Sequence, residues 1–234
     1  MIDVTVLGDR TRLRMLAALM DGRDLPASLL AAEAGVAAST ASEHLSKLVD
    51  AGLVTVHPQG RHRYFRLRDS EVAALVESLS QFAPLPAPRS LKQGNRLAAL
   101  REARTCYDHL AGRLGVSILA GLIERGAISV DDGGDVAYRL TPSGCTLLLD
   151  LGVDLPPHAA GTVPLRHCVD WTERTHHLSG LVGRALAARL FELGWIERNA
   201  VARSVRVTDR GRRGLRALQI DDRRSVDRLQ RTHA

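Results

Sequence analysis

One internal repeat constrains this chain more than any other feature. Residues 109–128 read HLAGRLGVSILAGLIERGAI and residues 177–196 read HLSGLVGRALAARLFELGWI, nine identities in 20 ungapped columns. Ordinary composition would give roughly one or two. A Cys-x-Asp precedes each copy, as Cys106-Tyr107-Asp108 and Cys168-Val169-Asp170. The match resumes downstream, where Arg139-Leu140-Thr141 aligns with Arg206-Val207-Thr208 and a glycine follows each threonine by three residues, at Gly144 and Gly211. Each copy therefore reads helix, glycine, strand, hairpin turn, strand, T-x-x-G, helix, the order in which a winged unit is built. The expectation is a paired scaffold, two degenerate winged-helix-like units at about 106–152 and 168–220 within a C-terminal region 92–234. The copies are unequal. Cys106 stands three residues before His109 but Cys168 stands nine before His177, with Trp171 and His176 in the insertion.

Ahead of the repeat, PLPAP at 84–88 places three prolines in five residues, which marks 84–91 as an extended, stiff linker. The first 83 residues carry their own pattern. Asp9 can cap a helix reaching Met20, with Leu13, Leu16, Ala17 and Met20 on one face. Pro26 suits the first turn of a helix over 26–34, which Gly35 ends in a left-handed conformation. A third helix spans Ala38 to Asp50, with Ala41, Leu45 and Leu48 inward; Ala37 at its cap position is weaker than serine. Residues 53–56 and 63–67 read as strands of a hairpin with Gly60 near its tip, and a further helix runs from Asp69 to about Phe82. The whole chain is expected to be mostly α with small β-hairpin wings (α+β), an N-terminal winged helix-turn-helix followed by the two degenerate units.

At the residue level the segments LGDRTRLRMLAALMDG (7–22), GVAASTASEHLSKLVDAGLV (35–54) and GRHRYFRLRD (60–69) resemble the ArsR/SmtB family of bacterial repressors. The resemblance covers residues 1–83 and implies a DNA-binding domain, a homodimer formed through the first helix and the helix from Asp69, and a repressor's function. It also invites a search for that family's metal sites. Cysteines on the second helix are absent from PASLLAAEA, and the helix after the wing, DSEVAALVESLSQF, offers Asp69, Glu71 and Glu77 but no histidine. No inherited metal site is therefore expected.

Charge adds less than its total suggests. The chain carries a net +6 with a pI near 9.9, yet residues 1–83 hold 9 Lys/Arg against 10 Asp/Glu and residues 84–234 hold 23 against 16. The excess lies outside the DNA-binding segment, so only local clusters count as evidence for a polyanionic partner. Three cysteines are too few for a disulfide scaffold. The charged first twenty residues do not read as a secretory signal, and no apolar run of about 18 residues exists to span a membrane. A cytoplasmic protein without a membrane partner is expected.

With Ala41, Leu45 and Leu48 inward, the third helix turns Ala38, Ser39, Thr40, Ser42, Glu43 and Ser46 outward, where small hydroxyls near a helix start can meet phosphates and base edges. Lys47 lies toward the backbone-contacting edge, and Arg61, His62 and Arg63 at the wing suit phosphate or minor-groove contact. The bland alternative is a solvated face. In the C-terminal region, Cys106, Asp108, His109, Cys168, Asp170, Trp171, His176 and His177 are effector or metal candidates, because thiolate and imidazole bind zinc, copper and softer ions. A thiol-reactive effector acting through Cys106 and Cys168 is a second reading, contact with an organic ligand a third, and burial within the repeat a fourth. No C-x-x-C selects among them, and the basic run 210–231 reads as a solvated helix face or a secondary DNA contact.

The leading expectation is a sequence-specific, homodimeric regulator of transcription, not an enzyme, that binds a double-stranded operator and responds to a small-molecule or metal effector at its C-terminal domain. Two alternatives stand beside it: a thiol- or metal-chemistry enzyme fused to a DNA-binding module, and a constitutive architectural DNA-binding protein.

Overall fold

The structure is a computed structural model that describes residues 4–20, 22–60, 62–82, 91–131, 136–155, 164–201 and 203–220. The chain divides into two compact units, Met1–Leu79 and Ser80–Ala234, so the division falls just before the Pro-rich stretch. That stretch, residues 83–90, lies outside the described residues, as do Arg61, His158 and the C-terminal part of the basic run from residue 221.

The first unit opens with a 3-10 turn (Val4–Gly8) and α1 (Arg10–Leu19), whose start is capped by Asp9 Oδ1 accepting from the Arg12 amide at 2.9 Å. Its buried face is Met15, Leu16, Leu19 and Met20. Leu13 and Ala17, expected inward, are only half-buried. Apolar residues at nearly every position from 15 to 20 leave the phase of this helix open to its neighbours. Residues Leu25–Pro26 form a short strand β1, and α2 (Ala27–Ala34) starts one residue later than expected because Pro26 is extended at ψ 153°. Gly35, at φ 72°, ends α2 with the left-handed geometry that glycine adopts without strain.

Helix α3 (Ala38–Asp50) buries Ala41, Leu45 and Leu48, and Ala37 caps it without a side-chain bond, as its sequence implies. The wing is β2 (Val54–Gln59) paired antiparallel with β3 (His62–Leu67), longer on both sides of Gly60 than the sequence suggests. β1 pairs with β3 through Leu25 and Phe65, giving a three-stranded sheet of order β1-β3-β2. α4 (Ser70–Phe82) follows, with Asp69 Oδ1 accepting from the Val72 amide at 2.9 Å.

The second unit begins with α5 (Leu91–Glu102) and then presents the repeat. The first copy is a hairpin of β4 (Arg104–Cys106) and β5 (His109–Ala111), α6 (Gly112–Glu124), a wing of β6 (Ile128–Asp131) and β7 (Ala137–Leu140), and α7 (Pro142–Asp150). After β8 (Pro164–Leu165), the second copy repeats the order: β9 (His167–Val169), β10 (His176–Leu178), α8 (Gly180–Glu192), β11 (Ile196–Arg198), β12 (Val205–Val207) and α9 (Asp209–Ala217). The helix-wing-helix order matches the sequence reading. The leading hairpins were not legible in it. The T-x-x-G motif closes each wing onto its last helix: Thr141 and Thr208 cap α7 and α9 by accepting from the Gly144 and Gly211 amides, each at 3.0 Å.

The two copies interlock inside the unit. β8, leading into the second copy, pairs with the first copy's wing through Leu165 and Tyr138. Reciprocally, the lead into β4 meets the second copy's wing, where the Val205 amide donates to Ala103 O at 3.0 Å and the Thr105 amide to Arg203 O at 2.8 Å. α6 packs on β10 and α8 on β5, so each helix covers the other copy's hairpin. One continuous core then runs from Leu114, Ile118 and Leu122 of α6 to Val182, Leu186 and Leu190 of α8. α6 is buried from Leu114 to Leu122 without a break, as expected of a helix apolar on every face.

Candidate functional site

Two surfaces carry chemistry. On α3, Ala38, Ser39, Thr40, Ser42, Glu43, Ser46 and Lys47 are all exposed, while the inward residues are covered almost completely. Of the wing residues singled out in the sequence, His62 and Arg63 are exposed and Arg61 lies outside the described residues. The helix is held at its base by His44, whose Nδ1 stands 3.4 Å from Arg12 Nη1 and 3.7 Å from Asp9 Oδ1, joining α3 to α1. On the exposed face Lys47 Nζ donates to Glu43 Oε1 at 2.8 Å, a helical i,i+4 pair, and this bond holds the Glu43 carboxyl below its usual range. The pair leaves the N-terminal half of the face to neutral, small side chains, which offer hydroxyls without steric bulk.

The second surface is interior. In each leading hairpin a cysteine faces a histidine across the strands: Cys106 opposite His109 on β4–β5, and Cys168 opposite His177 on β9–β10. The interlocked copies bring the two hairpins together. The ligand-capable atoms of Cys106, His109, Cys168 and His177 all lie within 4.8 Å of one another, and the two imidazoles stack with centroids 5.2 Å apart. Cys106, His109 and His177 are buried and Cys168 is half-buried. Close packing of the helices brings the hairpins to this distance. A Cβ on Gly115 of α6 would run into Leu110 O and stand 3.5 Å from His177 Cβ. Its counterpart on Gly183 of α8 would meet Leu178 O at 2.7 Å and His109 Cβ at 3.4 Å. The repeated glycines of the sequence therefore clear the space in which the histidines meet.

Electrostatics in the cluster favour a charged sulfur. A hydrogen bond from Cys106, working against burial and aided by His109 and then His177, holds the Cys168 thiol far below its usual range. Burial pulls His109 down, but the hydrogen bonds of Asp108 and Cys168 outweigh it and carry the imidazole up to about 9. Asp108 Oδ1 sits 3.0 Å from His109 Nδ1, which leaves Nε2 as the nitrogen turned inward; it is buried and without a hydrogen bond of ordinary geometry.

The remaining sequence candidates surround the cluster without joining it. Asp170 is a structural knot. Its Oδ2 accepts from Arg104 Nη2 at 3.0 Å and from the Gly112 amide at 2.6 Å, and its Oδ1 accepts from the Thr172 and Glu173 amides at 2.9 and 3.0 Å. Burial raises its carboxyl, but Arg104, His177 and Thr172 together hold it well below the usual carboxylate range. His177 Nδ1 is 3.7 Å from the same Oδ2. Trp171 packs against the Arg104 guanidinium, which lies 4.8 Å from the ring centroid. His176 is drawn off to Tyr138, whose hydroxyl lies 2.8 Å from its Nδ1. One residue that sequence reasoning passed over matters here, Arg104, which is fully buried; Glu173, beside Trp171, pairs with Arg101 at 2.8 Å. A signal for Arg104 existed, since it precedes Cys106 by two positions as Arg166 precedes Cys168.

Comparison with known proteins places these features. A family model described as a helix-turn-helix domain matches residues 7–57. The uncharacterised HTH-type transcriptional regulator YdfF of Bacillus subtilis is 40% identical over 209 residues, 89% of this chain and 91% of the relative, so the likeness extends well beyond the winged domain. The HTH-type transcriptional regulator CmtR of Mycobacterium tuberculosis is 43% identical over 75 residues, 32% of this chain and 63% of that protein. A solution structure of CmtR from Mycobacterium tuberculosis, described as a cadmium metal-sensor, aligns at 34% identity over 36% of this chain and 95% of its own, with a TM-score of 0.28. Among the described residues no helix is long and apolar enough to cross a membrane. With its exposed third helix, its wing and a relative of the same class matched over about nine-tenths of both chains, the chain belongs to the helix-turn-helix transcriptional regulators.

Proposed function

We propose that this regulator is a homodimeric repressor that acts on a two-fold symmetric operator in the cytoplasm and is governed by an effector held in its C-terminal unit. The observation that carries the DNA half is the sharp division of α3, buried at Ala41, Leu45 and Leu48 and exposed at every position assigned to DNA. Ser39, Thr40 and Ser42 read base edges and phosphates near the helix start, Glu43 accepts from a cytosine amino group, and Ala38 and Ser46 permit close approach. Lys47, Arg61, His62 and Arg63 fix register on the phosphates. A second copy docks along α1 and α4, where Leu79 is exposed. The effector half is supported by a C-terminal unit with its own core and a polar cluster buried inside it. The chain has no catalytic role in this reading.

Selection of duplexes from a random-sequence pool by the full-length protein tests the proposal. An enriched sequence with two inverted half-sites about one helical turn apart is expected. Recovery of no common sequence would overturn sequence-specific regulation and leave an architectural role; a lone, asymmetric site would overturn the dimer. Ser42→Glu, placing a carboxylate against phosphate on an exposed position, is expected to abolish enrichment without altering the fold.

A further inference from the structure

The Cys-His cluster has a donor set that packing alone does not account for. Two thiols and two imidazoles, three of the four side chains buried, cost free energy unless their polar atoms are satisfied, and aliphatic side chains would fill the same space without that cost. Instead, each repeat commits a cross-strand pair to one cysteine and one histidine, and the interlock of the copies directs both pairs to one point.

The geometry is close to that of a tetrahedral centre. Bonds of about 2.0–2.3 Å to nitrogen and sulfur give ligand-to-ligand edges of about 3.3–3.8 Å. The four donor atoms already lie within 4.8 Å of one another, so side-chain adjustment of about 1 Å completes the set. The surroundings have the form that metal-bound histidines require, a carboxylate that fixes the tautomer from behind. Asp108 holds His109 Nδ1 at 3.0 Å, turning Nε2 toward the other donors, and Asp170 stands 3.7 Å behind His177 Nδ1. Asp170 is in turn fixed by Arg104 and by the amide of Gly112.

We infer that Cys106, His109, Cys168 and His177 form a closed Cys2His2 site for one zinc-class divalent ion per chain, shared equally between the two repeats. Loading releases to solvent whatever protons the two sulfurs and two imidazoles carry; two thiolates then offset the dication, so the buried complex is neutral. The two sulfurs favour zinc or cadmium over magnesium or calcium, which prefer oxygen. Four protein donors leave no open coordination position, so the site holds an ion and does not activate water. The ion clamps the two leading hairpins, and through them the two copies. Within the regulator reading it is the natural effector, but the site itself rests on coordination chemistry and stands apart from operator binding.

The test is metal analysis of the full-length chain, purified reduced and without chelator, followed by stripping and refilling with zinc and with cobalt(II). One ion per chain is expected, with the sulfur-to-cobalt charge-transfer band and intense visible absorption of a tetrahedral centre. Cys106→Ser, Cys168→Ser, His109→Gln and His177→Gln are each expected to lower zinc affinity at least tenfold, whereas Cys145→Ser retains the wild-type stoichiometry. Should a variant fail to fold, the cobalt spectrum of the stripped and refilled wild-type chain still decides the question. Failure of the fully reduced wild-type chain to take up either ion would overturn the site. So would uptake that persists without Cys106 and Cys168, or a cobalt spectrum lacking the sulfur band. Because no readout involves DNA, failure here leaves the DNA-reading proposal intact, and the converse holds.

Discussion

At the scale of single residues, Arg104 and Asp170 decide more than their numbers suggest. Both are fully buried and bonded to each other at 3.0 Å, with Trp171 stacked on the guanidinium. Arg104→Met would leave the Asp170 carboxylate buried without its counter-charge, a change that typically costs about 3–5 kcal/mol. Urea unfolding followed by tryptophan fluorescence should register that loss. Asp69 is a milder case at the start of α4. Its carboxyl is held below the usual range first by the Val72 amide, against slight burial, and then by Arg68. Asp69→Ala should cost about 1 kcal/mol at neutral pH. Since the folded value is the depressed one, the contribution is complete above the ordinary aspartate range and disappears as pH falls through the lowered folded value. The stability gap between wild type and variant should therefore close in acid; a gap that is constant with pH would contradict the cap.

At the scale of elements, the glycines of α6 and α8 set the distance between helix and hairpin. Gly115→Val pushes α6 off β5 and toward His177, and should cost about 1–3 kcal/mol as overpacking while shifting or erasing the cobalt spectrum. A variant with reduced stability and an unaltered spectrum would separate the helix packing from the site. The elements also mark what was legible beforehand. α3 was readable because Ala41, Leu45 and Leu48 recur at helical spacing, and α6 and α8 because the repeat carries a long apolar-rich segment after each H-L-x-G. The strands β4, β5, β9 and β10 were not. Each is three residues long, too short for alternation to register, and Arg104–Cys106 and His109–Ala111 are buried at every position. Without those hairpins, Cys106 and Cys168 were only residues at unequal distances from their histidines. The six-residue insertion drew attention to Trp171 and His176, whereas it serves to build the Asp170 loop, and the cluster takes one cysteine and one histidine from each copy alike.

At the scale of the whole molecule, the proposals give DNA reading to the N-terminal unit and ion holding to the C-terminal one, and the two are expected to be coupled. Allosteric couplings typically change affinity by about 5–150-fold. Titration of the selected operator with zinc-loaded and stripped protein should reveal a change in that range; equal affinities would make the ion a staple of the C-terminal unit alone. The repressor reading depends on α3 and the wing reading DNA as a symmetric pair. Hydroxyl-radical footprinting of the full-length protein on the selected duplex is the sharpest check of that dependence. Protection is expected in two stretches related by a two-fold axis, their centres about 10 base pairs apart or a whole number of helical turns. Uniform protection, or a single stretch with no symmetric partner, would refute the symmetric pair.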